Sequence, residues 1–369
     1  MIQFVSAAEG WQISNDSLSA MPVSPSASRR LALRVLGLML LSVGGLSAQA
    51  RENVWEDTKV DGRDYVTTRS LKRFYAPEFG PIDHRREGKK VILESRKWLI
   101  TMTVGEQVCM MNGVKFVFSH AVLEKDGLAL VSLMDLAKLI DPVLRPQHIK
   151  NANEFRTVIL DPGHGGKDSG SANKHGAEKA YNLALARRLR MKLEALGYRV
   201  IMTRDRDEFL DLNQRVEIAN AVKEAAIFIS IHFNSGARAQ ASGIETFTLS
   251  PVGVAHYGES LKPSDAMELQ GNYQDSANIA LATSVHGCIL RRLSANTVDR
   301  GIKRARFNVL SGVRHPAILL EGGFMSNPEE ARLIDTPIYQ DALAQGVVDA
   351  IIRYRIAVSS NRGATKVRP

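Results

Sequence analysis

Residues 157–170 read TVILDPGHGGKDSG, and the fold turns on how they are interpreted. The β-branched and leucine run at 158–160 looks like a buried strand, and it stops abruptly in Asp161-Pro162-Gly163-His164-Gly165-Gly166. Proline lacks the N–H that a strand interior needs, and glycine adopts backbone conformations other residues resist, so the chain must leave the strand sharply here. A histidine at such an exit can belong to a phosphate-cradling loop, be an incidental turn residue, or ligate a metal. The phosphate loop fails on spacing, because neither Gly-x-x-x-x-Gly-Lys-Ser/Thr nor Gly-x-Gly-x-x-Gly stands at a strand-to-helix turn. The choice between the other two depends on what the rest of the chain brings to His164.

From about residue 156 the pattern alternates between apolar strands and helices. EKAYNLALARRLRMKLEAL, LNQRVEIANAV, QDSANIALATSVHGCILRRL and YQDALAQGVVDAIIRYR read as helices, the first with apolar residues at clear helical spacing. YRVIMT, AAIFISI, IETFTL and PAILLE read as strands. Several strands are uniformly apolar, which predicts a sheet covered on both faces. The expected fold is α/β: a mostly parallel or mixed sheet covered by helices on both faces, preceded by a small α+β module. In such sheets reactive groups gather beyond the carboxyl ends of the strands.

Three strands each deliver a reactive residue to that rim. VILDPGH brings His164, IFISIH brings His232 and AILLE brings Glu321, while Glu178 opens the first long helix in HGAEKAYNL. Two imidazoles and one carboxylate are the protein ligands of a catalytic zinc that keeps a fourth position for water. The metal lowers the pKa of that water towards about 7, and a second carboxylate outside the coordination shell can carry its proton to a leaving amine. Gly165 and Gly166 fit this reading by letting the backbone pass close to metal or substrate. His175 is a rival ligand, but it sits in a glycine-flanked loop. His84, His120, His256, His286 and His315 read as structural.

The rest of the chain frames this domain. Residues 1–50 close on RRLALRVLGLMLLSVGGLSAQA, with a basic start, about a dozen apolar residues and a small-x-small site at Ala48-Gln49-Ala50. The apolar run is shorter than the roughly 20 residues that span a bilayer. Residues 1–50 are therefore expected to be a signal peptide, and SRRLALR suggests the twin-arginine route. The processed protein is expected in the periplasm or cell wall with no stable membrane span. In residues 51–145, DGRDYVTTRSLKRFY and DGLALVSLMDLAKLI form a faint repeat of turn, strand and helix start, predicting the accessory α+β module. Residues 146–155 read as a linker, 156–357 as the catalytic domain and 358–369 as a basic flexible tail. Cys109 and Cys288 lack metal-ligand spacing and read as two buried free thiols. The net charge of +9 suits a polyanionic surface such as a cell wall, and nucleic acid is not expected as a partner of an exported chain.

From about Arg156 to Tyr354 the chain resembles the zinc-dependent N-acetylmuramoyl-L-alanine amidases, through VILDPGHGGKDSG, EKAYNLALARRL, TRDRDEFLDLNQRVEIAN, SIHFNS with GIETF, and PAILLEGGFMSNPEEARLI. The resemblance implies that His164, Glu178 and His232 bind Zn2+ and that Glu321 is the catalytic general base and acid. It also implies the substrate, peptidoglycan, cut at the amide between N-acetylmuramic acid and L-alanine of the stem peptide. The residues alone reach only a metallohydrolase. A zinc peptidase or amidase acting on another substrate, or an inactive wall-binding scaffold, are the alternatives. Asn234 is a candidate substrate contact, and Arg215 and Asn220 are expected to make structural bonds. Phe233 and Gly322 depart from the family pattern and are expected at the cleft wall. Residues 51–145 loosely resemble the copper amine oxidase N-terminal-like (stalk) domain. An envelope activator or scaffold protein could dock there or on the long segment 250–274. That segment reads as a substrate-groove rim; its Glu259 and Glu268 would be the metal-capping groups if it were inhibitory.

Overall fold

The computed structural model describes residues 55–294 and 297–359. The expected signal peptide with its cleavage and export signals, and the tail beyond Ser359, lie outside them. Upstream, the order is β1 (Asp57–Val60), β2 (Arg63–Thr67), α1 (Thr68–Phe79), β3 (Asp83–Glu87), β4 (Lys90–Glu94), β5 (Leu99–Thr103), β6 (Val108–Met111), β7 (Val114–Val117), β8 (Leu123–Lys125) and β9 (Leu128–Ser132). Both copies of the repeat form as their sequence dictates. Asp61 and Asp126 take left-handed turn conformations (φ 46° and 51°), and each strand then passes into a helical turn. Those turns are capped by the side chains of Thr67 and Ser132, which accept the amides of Ser70 and Asp135 at 3.1 and 3.0 Å. β2 and β9 pair in a four-stranded sheet. Asn112-Gly113 turns β6 into β7 with both residues at positive φ, as a two-residue hairpin requires.

Downstream come β10 (Thr157–Pro162), β11 (Ala172–Asn173), β12 (Gly176–Ala177), α2 (Glu178–Ala195), β13 (Arg199–Met202), α3 (Leu212–Ala221), β14 (Ala226–Asn234), β15 (Ile244–Leu249), α4 (Asp275–Leu293), β16 (Asp299–Ala305), α5 (Asn308–Gly312), β17 (Ala317–Phe324), α6 (Pro328–Ile334) and α7 (Pro337–Ser359). The sheet is mixed, as expected. β13, β10, β14 and β17 run parallel, and β15 is antiparallel to β17. No helix among the described residues is long and apolar enough to cross a membrane.

The sequence did not announce β16. DRGIKRA is heavily charged, yet Ile302, Lys303 and Arg304 are buried. The strand pairs with β15 on one side and, through Ile302 and Phe116, with β7 on the other. The β7–β3 meander thereby extends the downstream sheet to eleven strands, in the order β13-β10-β14-β17-β15-β16-β7-β6-β5-β4-β3. The joint is polar as well as apolar. Asp299 Oδ2 accepts the Lys115 amide at 2.8 Å, and the Arg304 guanidinium reaches Asp135 at 3.3 Å and the Lys138 carbonyl at 2.8 Å.

One face of the sheet buries Ile159, Phe228, Phe247 and Leu319 beneath α3 and α5. The opposite parity faces α2, α4 and α7, and here one expectation is corrected. Phe233 and Gly322 do not form the cleft wall. Phe233 is 1% exposed and packs edge-on against Tyr181. A Cβ on Gly322 would lie 3.0 Å from the Phe233 ring and 3.2 Å from Leu343. Alternation along β14 and β17 turns His232 and Glu321 to one side and Phe233 and Gly322 to the other. The glycine is the space that the phenylalanine fills. Cys109 and Cys288 are buried and free, as expected.

Candidate metal centre and cleft

β10 ends at Pro162, and the next peptide still bonds to the sheet through Gly163 N–H to Ile231 O at 3.0 Å. His164 follows in a left-handed conformation, φ 60°, which a residue with a Cβ adopts only under restraint. The restraint comes from two buried arginines. Arg215 donates to the carbonyls of Pro162 and His164 at 2.8 and 2.7 Å and to Asp161 at 2.8 Å. Arg204 donates to the carbonyls of Pro162, Gly163 and Lys179 at 2.9, 2.8 and 2.8 Å. Asp161, 1% exposed, is satisfied further by Thr203 and Ser230. The expected structural roles of Arg215 and Asn220 agree with these contacts, Asn220 bonding Gly312 and Arg314. Arg204 was not foreseen, although it lies within the quoted TRDRD stretch.

Donor atoms of His164, Glu178 and His232 lie within 4.8 Å of one another. Glu178 Oε1 is 3.2 Å from His164 Nε2 and 2.9 Å from His232 Nδ1. It sits at the first turn of α2, where the helix N-terminus favours a carboxylate, and its Oε2 accepts the Ser171 amide at 3.0 Å. Burial works against its charge, but the hydrogen bonds and charges of His164 and His232 hold its carboxyl well below the usual range. His164 Nδ1 donates to Asp168 Oδ2 at 2.8 Å, which leaves Nε2 turned inward. Burial opposes protonation of His164, yet Glu178 and Asp168 together raise its pKa.

The glycines need a second correction. A Cβ on Gly165 would meet Glu208 O at 2.1 Å, and one on Gly166 would meet Phe209 N at 2.7 Å. These two admit the neighbouring loop, not the site. The residues that leave room for the donors are Gly163, whose Cβ would fall 2.1 Å from the His232 ring, and Gly170, whose Cβ would fall 2.6 Å from both His164 and Glu178. A set of two imidazoles and one carboxylate, converging in a cradle with no side chain to fill it, fits a tetrahedral zinc ion with one open position.

Glu321 lines the same cleft, about 640 Å³ in volume, whose walls include Phe209, Leu210, Leu212, Phe307 and Val309. Its Oε2 is buried without a hydrogen-bond partner among the described residues. Burial, with Glu178 and Glu245 adding like charge, pushes its carboxyl well above the ordinary range. Glu245, opposite it on β15, was not foreseen as part of the site; a lone acid in the apolar run IETFTL was the available signal. Asn234 donates to Glu245 Oε2 at 3.1 Å and accepts the Ser235 amide at 2.7 Å, so its polar atoms shape the loop after His232. His175 stands apart, 3.6 Å from Asp335. His84, His256, His286 and His315 bond within the fold.

Segment 250–274 supplies no residue to the cleft wall. Glu259 pairs with Lys262, and Arg306 ties the segment down through the carbonyls of Pro251, Val254 and Asp265. His256 packs on Phe307 with ring centroids 5.4 Å apart. The segment therefore buttresses the rim from behind.

The family model Amidase_3, N-acetylmuramoyl-L-alanine amidase, matches residues 158–353. The uncharacterized protein YqiI of Bacillus subtilis is 32% identical over 228 residues, covering 62% of this chain and 93% of that protein. N-acetylmuramoyl-L-alanine amidase AmiA of Escherichia coli is 30% identical over 272 residues, covering 65% and 93%. Among solved structures, the catalytic domain of CwlV, an N-acetylmuramoyl-L-alanine amidase from Bacillus (Paenibacillus) polymyxa var. colistinus, is 32% identical with a TM-score of 0.45, covering 54% of this chain and 98% of that one.

Proposed function

The chain belongs to the N-acetylmuramoyl-L-alanine amidase family, and on that premise we propose that it hydrolyses the amide joining N-acetylmuramic acid to L-alanine in peptidoglycan. The observation that carries the reading is the convergence of His164, Glu178 and His232 beside Glu321, whose buried Oε2 has no hydrogen-bond partner among the described residues. His164 through Nε2, Glu178 through Oε1 and His232 through the ring nitrogen facing Glu178 would hold zinc. When bound, zinc supplies Lewis-acid polarisation of the amide carbonyl and makes water a nucleophile near neutral pH.

The chain's own residues do the rest. Asp168 fixes the His164 tautomer, and Arg204 and Arg215 hold the loop that carries it. Glu321 takes the proton of the attacking water and passes it to the leaving amide nitrogen, freeing the L-alanine amine. A carboxyl held above its usual range is suited to that exchange, because it binds the proton and returns it at similar free energy. The apolar cleft walls seat the substrate.

Export by the signal peptide would bring the enzyme to periplasm or wall. Residues 51–145, read as a stalk-like module, or the segment 250–274 would dock an envelope activator or scaffold. The test is a digest of purified peptidoglycan with and without chelator, followed by mass spectrometry. New free L-alanine amino termini, lost with chelator and restored by zinc, are expected. Cleavage within the stem instead would identify a peptidase, and no cleavage by zinc-loaded protein would leave the scaffold reading.

A further inference from the structure

Glu245 answers two cations. Lys303 Nζ lies 2.8 Å from its Oε1, and Arg300 Nε bonds the same oxygen. One carboxylate facing two positive charges leaves a surplus, and burial decides where that surplus is presented. Lys303 is 5% exposed, with its ammonium 4.5 Å from the centre of the Tyr257 ring. The Arg300 side chain is 34% exposed and stacks over Phe324 at 4.8 Å. Its two η nitrogens have no partner among the described residues. Phe324 pairs in the sheet with Asn234, two residues beyond His232, and Glu245 pairs with Glu321. Stacking and the Nε bond thus fix Arg300 beside Glu245, the sheet neighbour of Glu321, with the fork of its guanidinium open.

We propose that Arg300 is a specificity residue that binds a substrate carboxylate, that of the acidic second residue of the stem peptide, in preference to its amidated form. This rests on the amidase reading. A guanidinium fork matches a carboxylate with two parallel hydrogen bonds. A carboxamide offers the fork one acceptor and turns its own N–H groups towards the arginine's. The distances are compatible. β16 lies two strand spacings from β17, roughly 10 Å, and the Arg300 side chain bridges part of that gap towards Glu245. An extended peptide advances about 3.5 Å per residue, so the second residue past the scissile bond comes within reach.

The experiment compares kcat/KM of the zinc-loaded full chain on two muramoyl tripeptides differing only in a free or amidated α-carboxylate at the second residue. The wild type is expected to prefer the free acid about tenfold or more, the scale of a hydrogen bond to a charged group. Arg300→Gln should collapse that ratio towards one, mainly through KM, and Arg300→Lys should keep only part of it. A wild-type ratio near one, or a ratio intact in Arg300→Gln, overturns the proposal. If Arg300→Gln loses zinc or its thermal transition, Arg300→Lys decides, since it keeps the charge beside Glu245 but not the fork, and an undiminished ratio there is equally fatal. Failure of the amidase reading looks different: the wild type then cleaves neither tripeptide.

Discussion

Glu245 and Glu321 stand directly opposite each other on antiparallel β15 and β17. Like charges in that relation repel, and Lys303 and Arg300 pair with Glu245. The proton affinity of Glu321 rises in consequence of burial first and of its acidic neighbours, Glu178 and Glu245, second. Glu245→Gln removes one negative neighbour and should lower that affinity. The acidic limb of kcat/KM is expected to move to lower pH. A limb that stays in place, or moves up, would contradict the coupling.

Removing Glu321 and removing a ligand should separate chemistry from metal binding. Glu321→Ala is expected to lose about 10²- to 10⁴-fold in turnover, the range for a general acid–base group, with zinc content unchanged. His164→Ala should lose zinc and turnover together. Zinc analysis alongside the muropeptide digest reads both, and normal release of stem peptides by Glu321→Ala would refute the assigned role.

Asp168 touches no other member of the donor set but orients His164. Asp168→Ala should weaken zinc binding about 10- to 100-fold, the usual effect of losing such a partner, while activity at saturating zinc falls less. Competition with a chromogenic chelator measures the affinity.

The zinc-free protein should lose stability towards both acid and base, through different groups. The depressed pKa of Glu178 contributes stability that is present above its unfolded value of about 4.3 and lost as pH falls through the folded value. The raised pKa of His164 contributes stability that is complete below about 6.5 and lost as pH rises through the folded value. The chelated protein should therefore lose thermal stability on going from mildly acidic to alkaline buffer. Zinc competes with the same protons, so its apparent affinity should rise over that range. A melting temperature of the zinc-free protein that climbs with pH there would show the site is not so coupled.

Phe233 and Gly322 form a matched pair in the core. Gly322→Leu alone should overpack and destabilise the fold by about 1–3 kcal/mol, and Phe233→Ala alone should open a cavity worth about 3–5 kcal/mol. The double variant should be more stable than the sum of the two predicts. Denaturant titration of all four proteins measures the coupling, and simple additivity would mean that the two residues do not share the space.

The strands and helices of residues 156–357 were legible because each carries its own signal: uniformly apolar runs mean strands buried on both faces, and EKAYNLALARRLRMKLEAL shows the helical period. His164, His232, Glu178 and Glu321 could be singled out for the same local reason, as reactive residues at the ends of apolar strands or the start of a helix. What stayed hidden depends on partners far along the chain. DRGIKRA becomes an interior strand only because Glu245 and Asp135 neutralise Lys303 and Arg304. Gly165 and Gly166 are explained by a loop some forty residues on, at Glu208 and Phe209. The sequence by itself determined which elements form and which side chains can do chemistry, since propensity and periodicity are local. Only the tertiary structure decided which charges are paired, which glycines face the donor set and that Arg300 is held on Glu245 beside Glu321, because burial and electrostatic pairing are properties of residues brought together across the sheet.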